Sequence, residues 1–328
     1  MAVGVMCGLL AGALWGLIFL FPRLVPEFSA AEQMIGRYLA FGLMSCLLTW
    51  PIWRVLRQRL TRADMHVLLK LSLVGNVLYF FCVALAVRWA GIAPASLIVG
   101  ILPISITLAG IWWRPDSSAV HEALPLRQLF WPLILAAAGI VCINIDAFHH
   151  AALESRTPLQ VMFGLLAALA ALASWTYFAI ANARYLQSEQ HFSSHEWNHL
   201  TGLATGAWVL ILLPLVSMWS LAQPASLEPR PWGFFIIMCT VVALGASVIG
   251  AALWNMASRR LPITLSGQLI VSETVFALCY GFVHAQRWPR ILEWAAIVML
   301  IAGVCWAVKK HAVPAGLTHN AVIDGEMR

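Results

Sequence analysis

Two ionisable side chains, Glu273 and Arg37, lie inside apolar segments of this sequence, where a charge is costly. Glu273 falls about 12 residues into a segment that starts near Leu261, which places it roughly 18 Å deep in a ~30 Å hydrocarbon core. A carboxyl group at that depth is a candidate proton carrier or cation contact. The alternative is a protonated glutamate that only hydrogen-bonds a neighbouring helix.

Arg37 lies well inside the second apolar segment, about one to two turns from its end. Its planar guanidinium matches a carboxylate bidentately, so it is a candidate for binding the carboxylate of a substrate. The alternative is that it snorkels to the membrane surface and pairs with Glu32, although a spacing of five residues suits a helical pair poorly.

Uncharged polar residues within the apolar segments are candidates for lining a path, or for joining helices by hydrogen bonds. They are Asn76 in the third segment, Asn255 in the eighth, and Ser266, Gln268 and Ser272 in the ninth. Gln268 and Ser272 are four residues apart and share a helical face, with Glu273 beside it.

Most tryptophans lie near the ends of apolar segments, as in the aromatic belts of membrane proteins. A few aromatic residues lie deeper, where they could stack on a flat ligand, hold a cation or simply fill helix interfaces. These candidates are Trp15, Tyr79, Trp175, Tyr177 and Trp254.

Prolines interrupt two apolar segments that correspond to each other in the two halves of the chain. Pro94 and Pro103 lie on either side of Ser96 in the fourth segment, and Pro262 begins the ninth. Irregular backbone within a membrane is tolerated where it is buried or lines a cavity. We therefore predict that the fourth and ninth helices line a site or move, the alternative being ordinary kinks.

Composition identifies an all-α membrane protein. The chain has 328 residues, of which 61% are hydrophobic and 10% charged, and its mean hydropathy is +0.83. About ten stretches reach the length of about 20 residues that a spanning helix needs. They are approximately 2–22, 31–53, 67–88, 91–113, 129–147, 159–181, 197–220, 232–256, 261–284 and 291–309. No cysteine lies in a CxxC motif or a Cys/His cluster, so we predict no metal site, disulfide framework or cofactor.

Ten spans place both termini on one side, and the positive charges indicate which. With cytoplasmic termini, thirteen Lys and Arg residues lie inside and six outside, as the positive-inside rule favours. The net charge of +6 thus reflects topology, and we predict no nucleic-acid partner. The basic run Arg54–Arg62 could contact anionic lipid, but a plain stop-transfer role is the simpler interpretation.

The sequence contains an internal repeat. Gly75 and Ser96 recur as Gly245 and Ser266, 170 positions later, and Trp15 recurs in a similar context as Trp175. In addition, Glu32, Leu39, Ala40 and Gly42 fall on Glu196, Leu203, Ala204 and Gly206, and Gly139 falls on Gly303. Each repeat holds five spans, an odd number, so the second enters the membrane inverted. We predict repeats at 1–150 and 151–310, followed by a disordered tail at 311–328, and a site between the halves.

Several motifs resemble the ten-helix EamA type of the drug/metabolite transporter superfamily. Ala171–Tyr177 followed by Ala183-Arg184 resembles the opening of its second repeat, and Ala93–Leu97 through Leu102-Pro103 resembles its fourth helix. Ala252–Asn255 is similar to a motif of the aromatic amino acid exporter branch. Ser272-Glu273-Thr274 departs from that branch, which has a Thr-Pro pair there.

The resemblance implies a secondary transporter of the bacterial inner membrane that exports small metabolites by alternating access. Amino acids, aromatic ones among them, are the first expected substrates, and a multidrug or toxic-cation exporter is the alternative. An enzyme is disfavoured because Gly-x-Ser-x-Gly and Walker A motifs are absent. A scaffold or sensor without transport is a further alternative. The expected partners are a small-molecule substrate and the lipid bilayer, in a monomer or weak homodimer.

Overall fold

The computed structural model describes residues 2–112, 126–149, 156–188, 192–222, 229–260 and 263–312. Within these ranges the regular structure is helical, without β-strands. The α-helices are α1 (Ala2–Leu24), α2 (Ala30–Thr49), α3 (Trp53–Arg59), α4 (Arg62–Ser72), α5 (Tyr79–Trp89), α6 (Ile92–Val99), α7 (Leu102–Trp112), α8 (Leu126–His149), α9 (Pro158–Ser188), α10 (Ser194–Ala222), α11 (Trp232–Val242), α12 (Ala251–Arg260), α13 (Ile263–His284) and α14 (Ile291–Ala312).

Helical residues occupy each of the predicted apolar stretches. Within the described ranges, six helical stretches are long and apolar enough to cross a membrane: Val3–Leu24, Ala30–Arg59, Arg62–Trp89, Pro158–Asn182, His195–Ser220 and Trp232–Trp254. Ile92–Ile106 and Ile291–Gly303 are shorter apolar helices. The prediction of an all-α membrane protein is confirmed, whereas the count of ten spans and the inverted repeat stay predictions. Helix α14 extends into the predicted tail, whose residues from 313 onward lie outside the described part.

The outer surface of the helices is apolar. Leu47, Leu215 and Ile291 expose 75%, 63% and 88% of their surface, and many other large apolar side chains are similarly exposed. Such a surface is unfavourable in water but matches lipid chains. The buried side chains instead form contacts between helices, including those of Phe21, Phe28 and Phe80.

Two helices contain π-helical segments at equivalent positions of the repeat. Leu73–Leu78 joins α4 to α5, and Ala243–Gly250 joins α11 to α12, so that Gly75 and Gly245 both fall in such a segment. A π-helical turn leaves carbonyl groups for other donors. The Ser174 hydroxyl donates to the Val74 carbonyl (2.6 Å), and the Trp15 indole N–H donates to the Ala246 carbonyl (3.0 Å).

The predicted irregularity in the fourth and ninth spans occurs in only one of them. Helices α6 and α7 are separated at Gly100 and Ile101, whereas α13 is continuous over its described length. Pro94 and Pro103 lie in the first turns of α6 and α7, where proline is compatible with a helix, so they begin helices and do not kink them. Pro262 lies outside the described residues.

Helices α2 and α10 cross at a pair of glycines that the repeat makes equivalent. A Cβ atom at Gly42 would lie 2.8 Å from the Cα of Gly206, closer than real Cβ contacts. Small residues at such crossings allow backbones to approach, which is how membrane helices pack without a hydrophobic driving force. The same device brings α1 onto α13, where Gly16 faces the backbone of Ala277.

We predict that Gly42→Ala destabilises the protein, because the added methyl group forces the two backbones apart. Overpacking of this kind costs about 1–3 kcal/mol, and each kcal/mol shifts the unfolding temperature by about 2–4 °C or less in a chain of this size. Thermal unfolding of the detergent-solubilised protein measures the effect. Gly233→Ala is the control, since a Cβ at Gly233 meets nothing within 4 Å. Equal unfolding temperatures for the two variants would contradict the close crossing.

Candidate functional site

A cavity of about 460 Å³ lies between the helices and collects residues from both halves of the chain. Its walls come from α1, α2, α9, α10, α12, α13 and both π-helical segments, among other elements. Several predicted site residues line it, which the sequence alone did not establish. They are Trp15, Arg37, Asn76, Tyr79, Trp175, Trp254 and Glu273.

Arg37 is buried in the wall of this cavity with part of its hydrogen-bonding capacity unused. It is 4% exposed, and its guanidinium carbon lies 4.4 Å from the centre of the Phe80 ring. Nη2 lies 3.4 Å from the Ser247 hydroxyl, whereas Nε and Nη1 have no hydrogen-bond partner among the described residues. A buried donor without a partner is unfavourable, so these groups suit an anionic ligand in the cavity.

The alternative role of Arg37, a pair with Glu32, does not occur. Glu32 forms an ion pair with Arg230 (2.8 Å) and accepts a hydrogen bond from the Ser220 hydroxyl. Because Glu32 binds Arg230 and Ser220 at the beginning of α2, it does not pair with Arg37, whose guanidinium faces the cavity.

Glu273 lies at the middle of α13, ten residues after Ile263 and eleven before His284. Its side chain is 8% exposed and forms no ion pair or hydrogen bond with another described residue. Arg37 acts on it electrostatically, although the two side chains do not form an ion pair. The wall of the cavity therefore contains one buried guanidinium and one buried carboxyl group, which do not form an ion pair.

Three asparagines, Asn76, Asn182 and Asn198, also line the cavity. Asn76 donates to the Thr205 hydroxyl (2.8 Å), and Asn198 donates to the Ser247 carbonyl (3.1 Å). Asn182 accepts a hydrogen bond from the Trp197 indole (2.7 Å). The sequence analysis did not single out Asn182, which directly follows the predicted stretch 159–181, or Asn198, the second residue of the stretch 197–220.

Aromatic rings cover much of the remaining wall. The ring centres of Trp15 and Trp254 lie 5.3 Å apart, and those of Tyr79 and Trp175 lie 6.3 Å apart. Phe178 packs on Trp175, with ring centres 5.8 Å apart. These surfaces are suited to a flat apolar group or to an organic cation.

Three predicted residues do not line the cavity. Ser272 packs against the backbone of Gly12, and Ser96 donates to the Ala93 carbonyl within α6. Tyr177 belongs to a separate apolar cluster around Leu56 and is covered by Lys70. The side chains of Gln268, Asn255 and Pro103 lie outside the described part of the structure, so their predicted roles stay predictions.

A second cavity, of about 380 Å³, lies at the ends of α5, α8 and α13. It is lined by arginines, but its carboxylates are engaged: Arg287 holds Glu293 through two contacts of 2.6 Å, and Arg290 lies 3.0 Å from Asp146. Among the described residues, no three His, Cys, Asp or Glu side chains cluster as metal ligands would.

Comparison with known proteins places this arrangement in a family. No family model matches the chain. The chain is 33% identical over 315 residues to the inner membrane protein YtfF of Escherichia coli K12, covering 94% of this chain and 96% of that protein. The chain belongs to the YtfF family. It is a multi-pass protein of the inner membrane.

The fold has also been seen in a crystal. A crystal structure described only as that of a protein superimposes with a TM-score of 0.60, covering 93% of this chain and 96% of its own. Because the two sequences are only 18% identical, this similarity concerns the fold alone.

We predict that Arg37→Met raises the unfolding temperature of the empty protein by about 2–4 °C for each kcal/mol gained. The variant removes a buried charge whose N–H groups lack partners, and replacing such groups by apolar ones often stabilises. Thermal unfolding in detergent without added solutes measures the change. Arg290→Met, which breaks the pair with Asp146, is expected to lower the temperature. A loss of stability in Arg37→Met would indicate that Arg37 is structural.

Proposed function

We propose that this protein is a secondary transporter that moves small zwitterionic metabolites, with amino acids as the first expected substrates. The proposal rests on one observation: Arg37 and Glu273 line the same cavity. Each side chain is buried, and the two do not form an ion pair. Ionisable groups in membrane segments are usually functional. A cavity of about 460 Å³ also has the size of a small-molecule site.

An amino acid complements both charges. Its carboxylate would accept hydrogen bonds from Nε and Nη1 of Arg37, which have no partner in the described structure. Its ammonium group would pair with Glu273, and an aromatic or other apolar side chain would lie against Trp15, Tyr79 or Trp175. The same carboxyl group would couple transport to protons, because Glu273 can bind either a proton or the ammonium group of the substrate, but not both at once.

The packing of the helices supports the proposed inverted repeat of five helices each. Helix α1 packs on α13 and α12, and α9, which follows it by one repeat, packs on α6 and α5. Equivalent helices also meet directly: α2 packs on α10, and α8 packs on α14. These relations are those of a two-fold axis in the membrane plane, as in transporters that work by alternating access. They support the proposed repeats at 1–150 and 151–310, whereas the proposed EamA-type membership rests on the sequence motifs and the proposed cytoplasmic termini on the distribution of Lys and Arg.

An exporter of organic cations is the second candidate. It is favoured by Glu273 together with the aromatic walls, which suit a cation. The guanidinium of Arg37 opposes it, because a cation in the cavity would meet an uncompensated positive charge. The two candidates therefore differ in the predicted effect of removing Arg37.

The first experiment is uptake of radiolabelled amino acids, aromatic ones included, by the purified protein in liposomes, with and without a pH gradient. Saturable uptake would support the transporter, and the inhibition profile would define the substrate class. Absence of uptake or exchange for every amino acid would exclude the proposed substrate. The same liposomes then test an organic cation.

We expect Glu273→Gln to abolish the dependence of transport on the pH gradient while leaving expression and folding intact, because glutamine cannot carry a proton. Transport with and without the gradient measures this. Glu27→Gln is the matched control, since Glu27 is exposed in the loop between α1 and α2. Unchanged pH dependence in Glu273→Gln would remove Glu273 from the coupling mechanism.

We expect Arg37→Gln to raise the KM for amino acids by about 10-fold or more, since a charged hydrogen bond contributes about 1.5–3 kcal/mol. Amines that lack the carboxylate should inhibit this variant as well as they inhibit the parent, or better. Competition by an amino acid and by its decarboxylated analogue measures the difference. Arg57→Gln, at an exposed position of α3, is the control. Equal losses for both ligands would contradict a carboxylate-binding role.

A further inference from the structure

A short motif occurs once in each half of the chain and begins equivalent helices. It runs Phe28-Ser29-x-x-Glu32 before α2 and recurs 164 positions later as Phe192-Ser193-x-x-Glu196 before α10. In both copies the serine and glutamate form a reciprocal cap. The glutamate Oε2 accepts from the serine backbone N–H at 2.7 Å, and the serine hydroxyl accepts from the glutamate N–H at 3.2 Å.

The other carboxylate oxygen of each glutamate binds an arginine from the opposite half. Glu32 Oε1 lies 2.8 Å from Nη2 of Arg230, whose guanidinium carbon lies 4.1 Å from the centre of the Phe28 ring. We call Phe28, Glu32 and Arg230 the Phe28 joint. It fastens the beginning of α2 to the residues just before α11, and Ser220 of α10 donates to the same carboxylate oxygen.

The equivalent contacts recur at the other end of the same helix pair. Arg59, at the end of α3, donates to Glu196 Oε1, and its guanidinium carbon lies 5.7 Å from the centre of the Phe192 ring. We call Phe192, Glu196 and Arg59 the Phe192 joint. Arg59 and Arg230 occupy corresponding positions, each just before the helix that contains a π-helical segment. The two joints are therefore copies of one device, each made by a glutamate of one half and an arginine of the other.

The joints lie at opposite ends of the bundle, and the large cavity extends toward only one of them. The large cavity extends toward the Phe192 joint, since Asn182, Trp197 and Asn198 line it. At the end that holds the Phe28 joint, Phe21, Val25 and Phe28 are fully buried, and the second cavity there is separate from the large one. A contact that closed one end of the transport path would be broken at the open end. Both joints are nevertheless formed in this one structure, so they do not behave as gates.

We propose that the two joints are stationary: they hold α2 and α10 as a fixed pair while helices elsewhere open and close the path. This inference rests on the proposed transport function. Arg59, Glu196, Arg230 and Glu32 are then positioning residues, which fix the helix pair that carries Arg37. The direct contact between Gly42 and Gly206 midway along that pair agrees with a unit that does not come apart.

A double-mutant cycle tests whether each joint exists. Glutamine retains the reciprocal cap but not the ion pair, so the variants are Glu32→Gln, Arg230→Met and their combination, with Glu196→Gln and Arg59→Met for the other joint. Each single variant should lower the unfolding temperature by about 2–4 °C, and each double variant should be no worse than its single variants. Glu27→Gln is the control. Additive losses would overturn the joints whether or not transport is found.

Cross-linking tests whether the joints are stationary. The native cysteines are first replaced. Cysteine pairs are then introduced at positions 59 and 196 and at positions 32 and 230, and each pair is bridged by a short flexible bismaleimide. Locking both joints should leave uptake within about twofold of the uncross-linked protein. The comparison cross-link joins Ile92 of α6 and Gly281 of α13, which are close together in the wall of the second cavity, and should stop uptake. Loss of uptake on locking either joint would overturn the inference. An inactive parent protein would instead reject the proposed function, while the double-mutant cycle still tests the joints.

Discussion

Every backbone N–H and C=O group of this chain must find a partner without water wherever the chain crosses lipid. That constraint explains why the described residues are helical, and it makes the two π-helical segments informative. Each segment leaves carbonyl groups for donors outside its own helix. Ser174 and Trp15 satisfy carbonyls of the two segments, and Asn198 satisfies that of Ser247. Both π-helical segments therefore occur where side chains of neighbouring helices converge, and both contribute residues to the wall of the large cavity.

The same constraint divides the charged residues into two groups. Near the helix ends, Glu32, Glu196 and Glu293 are each held by an arginine, and caps satisfy their remaining oxygens. Arg37 and Glu273 lie deeper and lack such partners among the described residues. Three glutamates near helix ends are thus neutralised by ion pairs with arginines, whereas Arg37 and Glu273 form no ion pair among the described residues. A buried charge left incompletely satisfied lowers stability, so its presence in a cavity wall is best explained by a ligand that completes it.

Much of this could be predicted from the sequence, because composition and the cost of intramembrane charge are local properties. They indicated the apolar helices and singled out Glu273 and Arg37. Which face a side chain takes is less accessible: Trp175 lines the cavity, whereas Tyr177, two residues further along the same helix, points to another cluster. Asn182 was missed because α9 continues past the end of its apolar stretch, whereas Asn198 lies at the start of its own stretch and was not singled out. The π-helical segments have no periodicity of their own, although the repeat correctly paired Gly75 with Gly245.

Some structural features occur in both halves of the chain, whereas others occur in only one half. The capped glutamates, the arginines that bind them, the π-helical segments and the glycine crossing are present in both halves. In contrast, α6 and α7 are separated at Gly100, while α13, which corresponds to them, is continuous. A protein with inverted repeats can present its site to either side only if its halves differ in conformation at any moment. The difference should lie in the helices that move and the likeness in those that do not. Under the proposed inverted-repeat transport, the helix pair α2–α10 would therefore be the fixed part, and α6 and α13, which meet near Gly281, would be the helices that move.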